Sequence, residues 1–230
     1  MCFRSVFDLD VTAEIRPGYF GAPDVGPVFV ENRYTDWGTY RPHQTLRNLW
    51  QLSQYVDPLR LRMEFLNNAR SKEKYGDDPL APSRYQPDCL FASVMCANPL
   101  GWFEASNLPE EYIESVSKLV AVWKRERSQW FAGSMIPIGD APDGNSWTGF
   151  ASVGQDGRSG FLLVFRELND ESSWSDSLSL FGEGPHRLTK LAGRGTAELA
   201  AGKVTVKIPE RLDYLWLKVE ASDSTETQKD

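Results

Sequence analysis

Cysteine and histidine are scarce in this 230-residue chain, and each shortage excludes chemistry. Three cysteines, Cys2, Cys89 and Cys96, cannot close a disulfide framework. Cys89 and Cys96 share a stretch of helical pattern, where a rise of ~1.5 Å per residue sets their Cα atoms roughly 10 Å apart, beyond disulfide reach. They read as core thiols. The two histidines, His43 and His186, have no cysteine or histidine at ligand spacing, so no metal site and no cofactor are expected. His43 also lacks the serine or cysteine partner of a catalytic triad.

Basic clusters are missing as well. The net charge is −7 and the lysines and arginines are scattered, which leaves no electrostatic footprint for nucleic acid or an anionic membrane. No apolar run approaches the ~20 residues of a membrane span. The start, MCFRSVFDLDV, has neither a lysine-rich n-region nor a long apolar h-region and does not read as a secretion signal, so no compartment follows from it.

What is present falls into two grammars. In the first, apolar runs alternate with helical periodicity. Ser5 to Val11 and Pro27 to Glu31 read as strands separated by a Pro- and Gly-rich loop, and Gln44 to Tyr55 reads as a helix with Leu46, Leu49, Trp50 and Ser53 on one face. LRMEFLN, Leu61 to Asn67, is a third strand. Pro87 opens a helix striped by Leu90, Phe91, Val94 and Met95, and PLGWFEAS, Pro99 to Ser106, is a fourth strand. A long helix, Pro109 to Phe131, follows, with Ile113, Val116, Val120, Trp123 and Arg127 at three-and-four spacing and Gly133 at its stop. Strands alternating with helices argue for a parallel sheet, with functional residues gathered where its strands end.

From about Ser134 the second grammar begins. MIPI, WTGFASV, GFLLVFR, SLSLF, HRLTKLA, GTAELAA, KVTVKI and YLWLKVE recur between Gly, Asp and Ser clusters, roughly 8 to 12 residues apart, and read as an antiparallel β-sandwich. The expected domains are residues 1–133, residues 134–222 and a polar tail, 223–230. Four β/α units are half of an eight-stranded barrel and would leave open parallel edges, so the chain is expected to be a truncated one whose barrel a second chain or a homo-oligomer completes.

Candidate chemistry lies in VENRYTDWGTYRPHQ, directly behind the second strand. Asp36 stands beside Tyr34 and Trp37 with Asn32 and Arg33 nearby. An acid desolvated by aromatic rings can hold the raised pKa of a general acid, and Asn and Arg suit sugar hydroxyls; equally, Asp36 can be a solvated loop acid capping the next segment. Asp10, at the end of strand one, can be a nucleophile, a base or a hydroxyl-binding group, and equally Asp8, Asp10 and Glu14 can cap turns. Glu64 and Glu104 sit inside apolar runs, where a carboxylate has to be paired or line a cavity. Trp147, Trp174 and Trp216 follow strand alternation and read as core anchors, with a carbohydrate platform as the alternative.

Taken in order, ENRYTDW with RPHQTLRNLW, LRMEFLNN, PLGWFEASNLPEE, WKRERSQWFAG and the sandwich opening WTGF and GFLLVFR resemble the C-terminal half of the retaining α-galactosidase-like glycoside hydrolases, the family 36 group. The resemblance spans nearly the whole chain and implies strands five to eight of a (β/α)8 barrel followed by a β-sandwich. It matches YTDW to the strand-six motif, so Asp36 would be the catalytic acid/base. Arg16, in the strand-five region, would contact substrate, with Asp10, Asn32, Arg33, Trp37 and Asn67 as further carbohydrate-binding positions. The family's Lys-aromatic-Asp nucleophile motif is absent; FDLDV stands too few residues before Asp36 to be it. The cysteine-and-glycine signature of strand five is also replaced. A chain of this kind is expected to be inactive alone, with a non-catalytic carbohydrate-binding or interaction module as the alternative.

Overall fold

A computed structural model describes residues 9–10, 26–29, 40–69, 72–101, 103, 105–177, 179–200 and 202–222. The chain divides into two compact units, Met1–Val116 and Ser117–Asp230. The division falls within the long helix, whereas the sequence grammar changes at Gly133 and Ser134.

In the N-terminal unit four strands form a parallel sheet in chain order: β1 (Leu9–Asp10), β2 (Val28–Phe29), β3 (Leu61–Phe65) and β4 (Asn98–Gly101). Helix α1 (Pro42–Leu52) precedes β3, helix α2 (Pro87–Ala92) precedes β4, and α3 (Glu110–Ala132) begins after it. α1 starts earlier than expected because Pro42 is pre-set for the first helical turn, where its missing N–H costs nothing. Leu46 and Leu49 bury one face of α1, and Val28, Leu61 and Met63 bury the sheet. Behind β3 the rings of Phe91, Phe65, Phe103 and Tyr112 meet edge-on in series, at 5.4, 5.5 and 5.7 Å. The last turn expected in α2 is replaced by non-helical turns beyond Ala92, so Cys96 lies past the helix; both Cys89 and Cys96 are buried and free. Burial pushes the Cys96 thiol well up, which makes it inert.

The stripe expected on α3 is displaced. Ile113 is 50% exposed, while Tyr112, Val116, Leu119, Trp123, Glu126 and Trp130 are the buried set, still at three-and-four spacing. Tyr112 fixes the phase on the N-terminal side, its hydroxyl donating to the Leu66 carbonyl at 3.2 Å.

The C-terminal unit holds two antiparallel sheets. One runs β5-β6-β7-β12-β9, made of Ser134–Gly139, Trp147–Val153, Gly160–Arg166, Asp213–Ala221 and His186–Gly193; the other runs β10-β11-β8, made of Thr196–Ala200, Lys203–Lys207 and Ser173–Ser177. Their facing sides share one core: Leu162, Val164, Leu215 and Leu217 meet Val204 and Val206, with Trp147 and Phe181. The other face of the larger sheet is covered by the C-terminal half of α3. There the buried Trp130 ring stands edge-on to Phe161 and Trp216, each at 5.5 Å, and its carbonyl accepts from Ser152 Oγ at 2.6 Å. Gly133 and Gly149 allow the close approaches this needs. A Cβ on Gly149 would stand 2.0 Å from the Leu163 carbonyl of the next strand, and one on Gly133 would stand 2.3 Å from Ser152 Oγ.

One strand differs from expectation. The run SLSLF is not a strand; the strand is SWSDS before it, and Ser179–Phe181 is a single 3-10 turn. Trp174 is the cause on one side, stacking on Trp147 at 6.5 Å and 14°, and Phe181 on the other, fully buried in the core. Among the described residues no helix is long and apolar enough to cross a membrane.

Candidate functional site

In a parallel sheet the residues that reach a ligand lie beyond the carboxyl ends of the strands. In β3 the Phe65 ring meets α2, so Leu61, Met63 and Phe65 face the helices. By the two-residue alternation of a strand, Arg62 and Glu64 face the opposite way. Arg62 is in register with Phe29 on one side and Asn98 on the other, and Glu64 with Leu100. Asp10, the last residue of β1, occupies the register position of Phe29. The face turned from the helices therefore carries a guanidinium and a carboxylate two residues apart, Arg62 near the amino end of β3 and Glu64 near its carboxyl end. Glu64 is 2% exposed, a depth at which a carboxylate requires polar company. Glu64 was legible in the sequence as an acid in an apolar run. Arg62 was not singled out, although its place two residues before Glu64 puts it on the same face.

Beyond β3 the chain is held in a fixed loop. Asn67 is buried; its Nδ2 donates to the Asn107 carbonyl at 3.2 Å and its Oδ1 accepts from the Ala69 N–H at 2.9 Å. Asn68 Nδ2 donates to the Tyr85 carbonyl at 3.1 Å. Asn67 thus ties the loop after β3 to the turn after β4, so the two strand ends are fixed relative to each other. Of the other candidate residues, Arg16, Asn32, Arg33, Asp36, Trp37 and Glu104 lie outside the described residues.

The C-terminal unit places its buried charges differently. Arg166 donates from Nη1 to the carbonyls of Ile208 and Pro209, at 2.8 and 2.6 Å, and from Nη2 to those of Asn169 and Asp170, at 2.8 and 3.1 Å. Glu167 Oε2 accepts the backbone N–H groups of Asp143, Gly144 and Ser146, at 3.1, 2.8 and 2.9 Å. Burial nevertheless raises the Glu167 carboxyl above its ordinary range, because three amides do not fully replace water around it. Both residues clamp loops, and the second Glu167 oxygen, Oε1, is buried without a hydrogen-bond partner. Trp147 and Trp216 are buried and Trp174 packs on the core, so the three tryptophans are anchors and present no carbohydrate platform. Among the described residues no group of three or more His, Cys, Asp or Glu side chains could hold a metal ion.

No protein-family model and no curated protein matches the chain. Among solved structures it is similar to the alpha-amylase from H. orenii, with a TM-score of 0.47 and 12% identity over 94% of this chain and 53% of that one. The chain spans about half the length of that structure. At that score and identity the likeness is too coarse to carry any residue correspondence.

Proposed function

We propose that the chain carries the second half of the catalytic barrel and the C-terminal β-sandwich of a retaining α-galactosidase-like glycoside hydrolase, acting on terminal α-linked galactose-type sugars. One observation supports this reading above the rest. The four parallel strands run in chain order, as they do around a barrel and unlike the reversed order of a doubly wound sheet. ENRYTDW, LRMEFLNN and PLGWFEAS follow or end β2, β3 and β4 in that same order.

In this reading the reaction is a double displacement between two carboxyl groups about 5 Å apart. Asp36 protonates the departing oxygen and then withdraws a proton from water, while a nucleophilic carboxylate, whose motif these residues do not contain, forms and releases the glycosyl-enzyme. Asp10, Arg16, Asn32, Arg33, Trp37 and Asn67 line the pocket, with Asn67 acting through the loop it fixes. A second chain, or a second copy of this one, is the partner that closes the sheet, and sedimentation would detect it.

The test is to join the chain to a polypeptide supplying the four preceding β/α units and to measure aryl α-galactoside hydrolysis. Asp36→Asn should lower the rate on substrates with poor leaving groups by roughly 10² to 10⁴-fold and spare activated ones, the signature of a lost general acid. Unchanged turnover of poor leaving groups removes Asp36 from the mechanism. The chain alone should be silent; turnover by it would contradict the missing nucleophile.

A further inference from the structure

The C-terminal unit has an open depression of about 480 Å³ that none of the chemistry proposed for the parallel sheet uses. Its polar lining comes from three places: Gln129 on the last turns of α3, Gln155, Asp156 and Ser159 on the β6–β7 hairpin, and Lys218 and Glu220 on β12. Its shape is fixed by close backbone approach. A Cβ on Gly154 would lie 3.0 Å from the Ser159 carbonyl, and one on Gly160 would lie 1.9 Å from that of Ser152.

Lys218 and Glu220 each have an opposite charge beside them, and Asp156 is held by hydrogen bonds. Lys218 Nζ lies 3.6 Å from Glu126 Oε2 and 5.8 Å from the centre of the Phe161 ring. Glu220 accepts from Arg187 Nη2 at 3.0 Å. Asp156 accepts the backbone N–H groups of Arg158 and Ser159, both at 3.0 Å, and the Ser159 hydroxyl at 2.7 Å, which hold its carboxyl below the usual range. Among the described residues no unpaired positive charge lines the depression to attract an anion. What remains is dipolar: the exposed amides of Gln129 and Gln155, neither of them engaged by another group among the described residues, and the spare lone pairs of Asp156 and Glu220. Amides give and accept hydrogen bonds and carboxylates accept them, a set that matches hydroxyl groups, which do both.

The geometry points to a binding site in this depression for a small, uncharged, polyhydroxylated ligand of the monosaccharide type. Phe161 is buried beneath the floor and offers no ring face. The ligand is therefore held by its hydroxyls without stacking, and its affinity falls in the millimolar range. This site goes beyond the hydrolase reading and stands without it.

Heteronuclear NMR on the full chain tests it, following the side-chain amide signals of Gln129 and Gln155 as galactose is added to about 100 mM. Saturable shifts of both signals are expected, with no comparable response to sodium phosphate or calcium chloride. In the Gln129→Ala/Gln155→Ala variant the shifts that galactose induces at the backbone amides of Asp156 and Ser159 should vanish. Both positions are exposed, and alanine is a good helix former at the first, so the variant keeps its fold. Absence of saturation, a stronger response to either salt, or undiminished affinity in the double variant would overturn the site. No turnover enters the measurement, so its failure leaves the hydrolase reading where it was, and failure of hydrolysis leaves the site.

Discussion

In the N-terminal unit β3 and β4 each pair with the strand that precedes an intervening helix, Phe29 with Arg62 and Arg62 with Asn98. In the C-terminal unit β5, β6 and β7 follow one another as antiparallel neighbours, and β10 folds directly back on β11. The buried charges differ in the same sense. Arg166 is taken up by backbone carbonyls and Glu167 Oε2 by backbone amides of neighbouring loops, whereas Glu64 lies on a central parallel strand with Arg62 on the same face. In the proposed reading the reaction belongs to the parallel sheet, and the clamped charges of the C-terminal unit serve its stability.

The sharpest way to break that contrast is to empty a layer. Trp130→Ala removes a fully buried ring from between Phe161 and Trp216 and should cost about 3 to 5 kcal/mol in urea denaturation. A loss under about 1 kcal/mol would mean that α3 does not cover the larger sheet. Next in size, Arg166→Met leaves the carbonyls of Ile208, Pro209, Asn169 and Asp170 without their donor and should cost about 2 to 3 kcal/mol. A neutral result would mean that Arg166 does not clamp these loops.

The smallest effect is a slope. Because burial raises the Glu167 carboxyl, the folded protein holds that proton more tightly than the unfolded chain. Stability contributed by this group is therefore present below its ordinary pKa and declines as pH rises through the raised value, then stays constant. Asp143 works in the opposite sense. The Asn145 N–H and the Ser146 hydroxyl lower its carboxyl, so its contribution is present above the ordinary range and lost as pH falls. Glu167→Gln should remove the first slope alone. Between about pH 4 and pH 7 the wild type should lose stability relative to the variant, read from paired urea midpoints. Parallel profiles would show that Glu167 is not desolvated.

The two units were unequally legible in the sequence, and the reason is range. GFLLVFR is β7 residue for residue and WTGFASV is β6, because alternation and glycine turns set antiparallel register locally. The miss at SLSLF came from a long-range cause: Trp174 pairs with Trp147, and no local pattern chooses between SWSDS and SLSLF. The α3 stripe was misphased for a similar reason. Ile113 and Tyr112 serve the helical period about equally well, and only the Leu66 carbonyl decides for Tyr112. In the parallel unit the existence and order of the strands were legible, whereas the facing of Arg62 and Glu64 depended on which side α2 takes. Asn67 was singled out as a sugar ligand, and its amide is found bracing two loops. The polar depression had no signal beyond the turn GQDGRSG, since its walls come from three distant segments.

The central claim is that the chemistry belongs to the strand ends of the parallel sheet. A crystal structure of the completed barrel with galactose bound tests it most directly. The sugar should lie beyond the carboxyl ends of the parallel strands, within hydrogen-bond distance of the Asp36 carboxylate. A carboxylate turned away from any concave surface, or a β/α portion closed on itself with no open side, would contradict the claim.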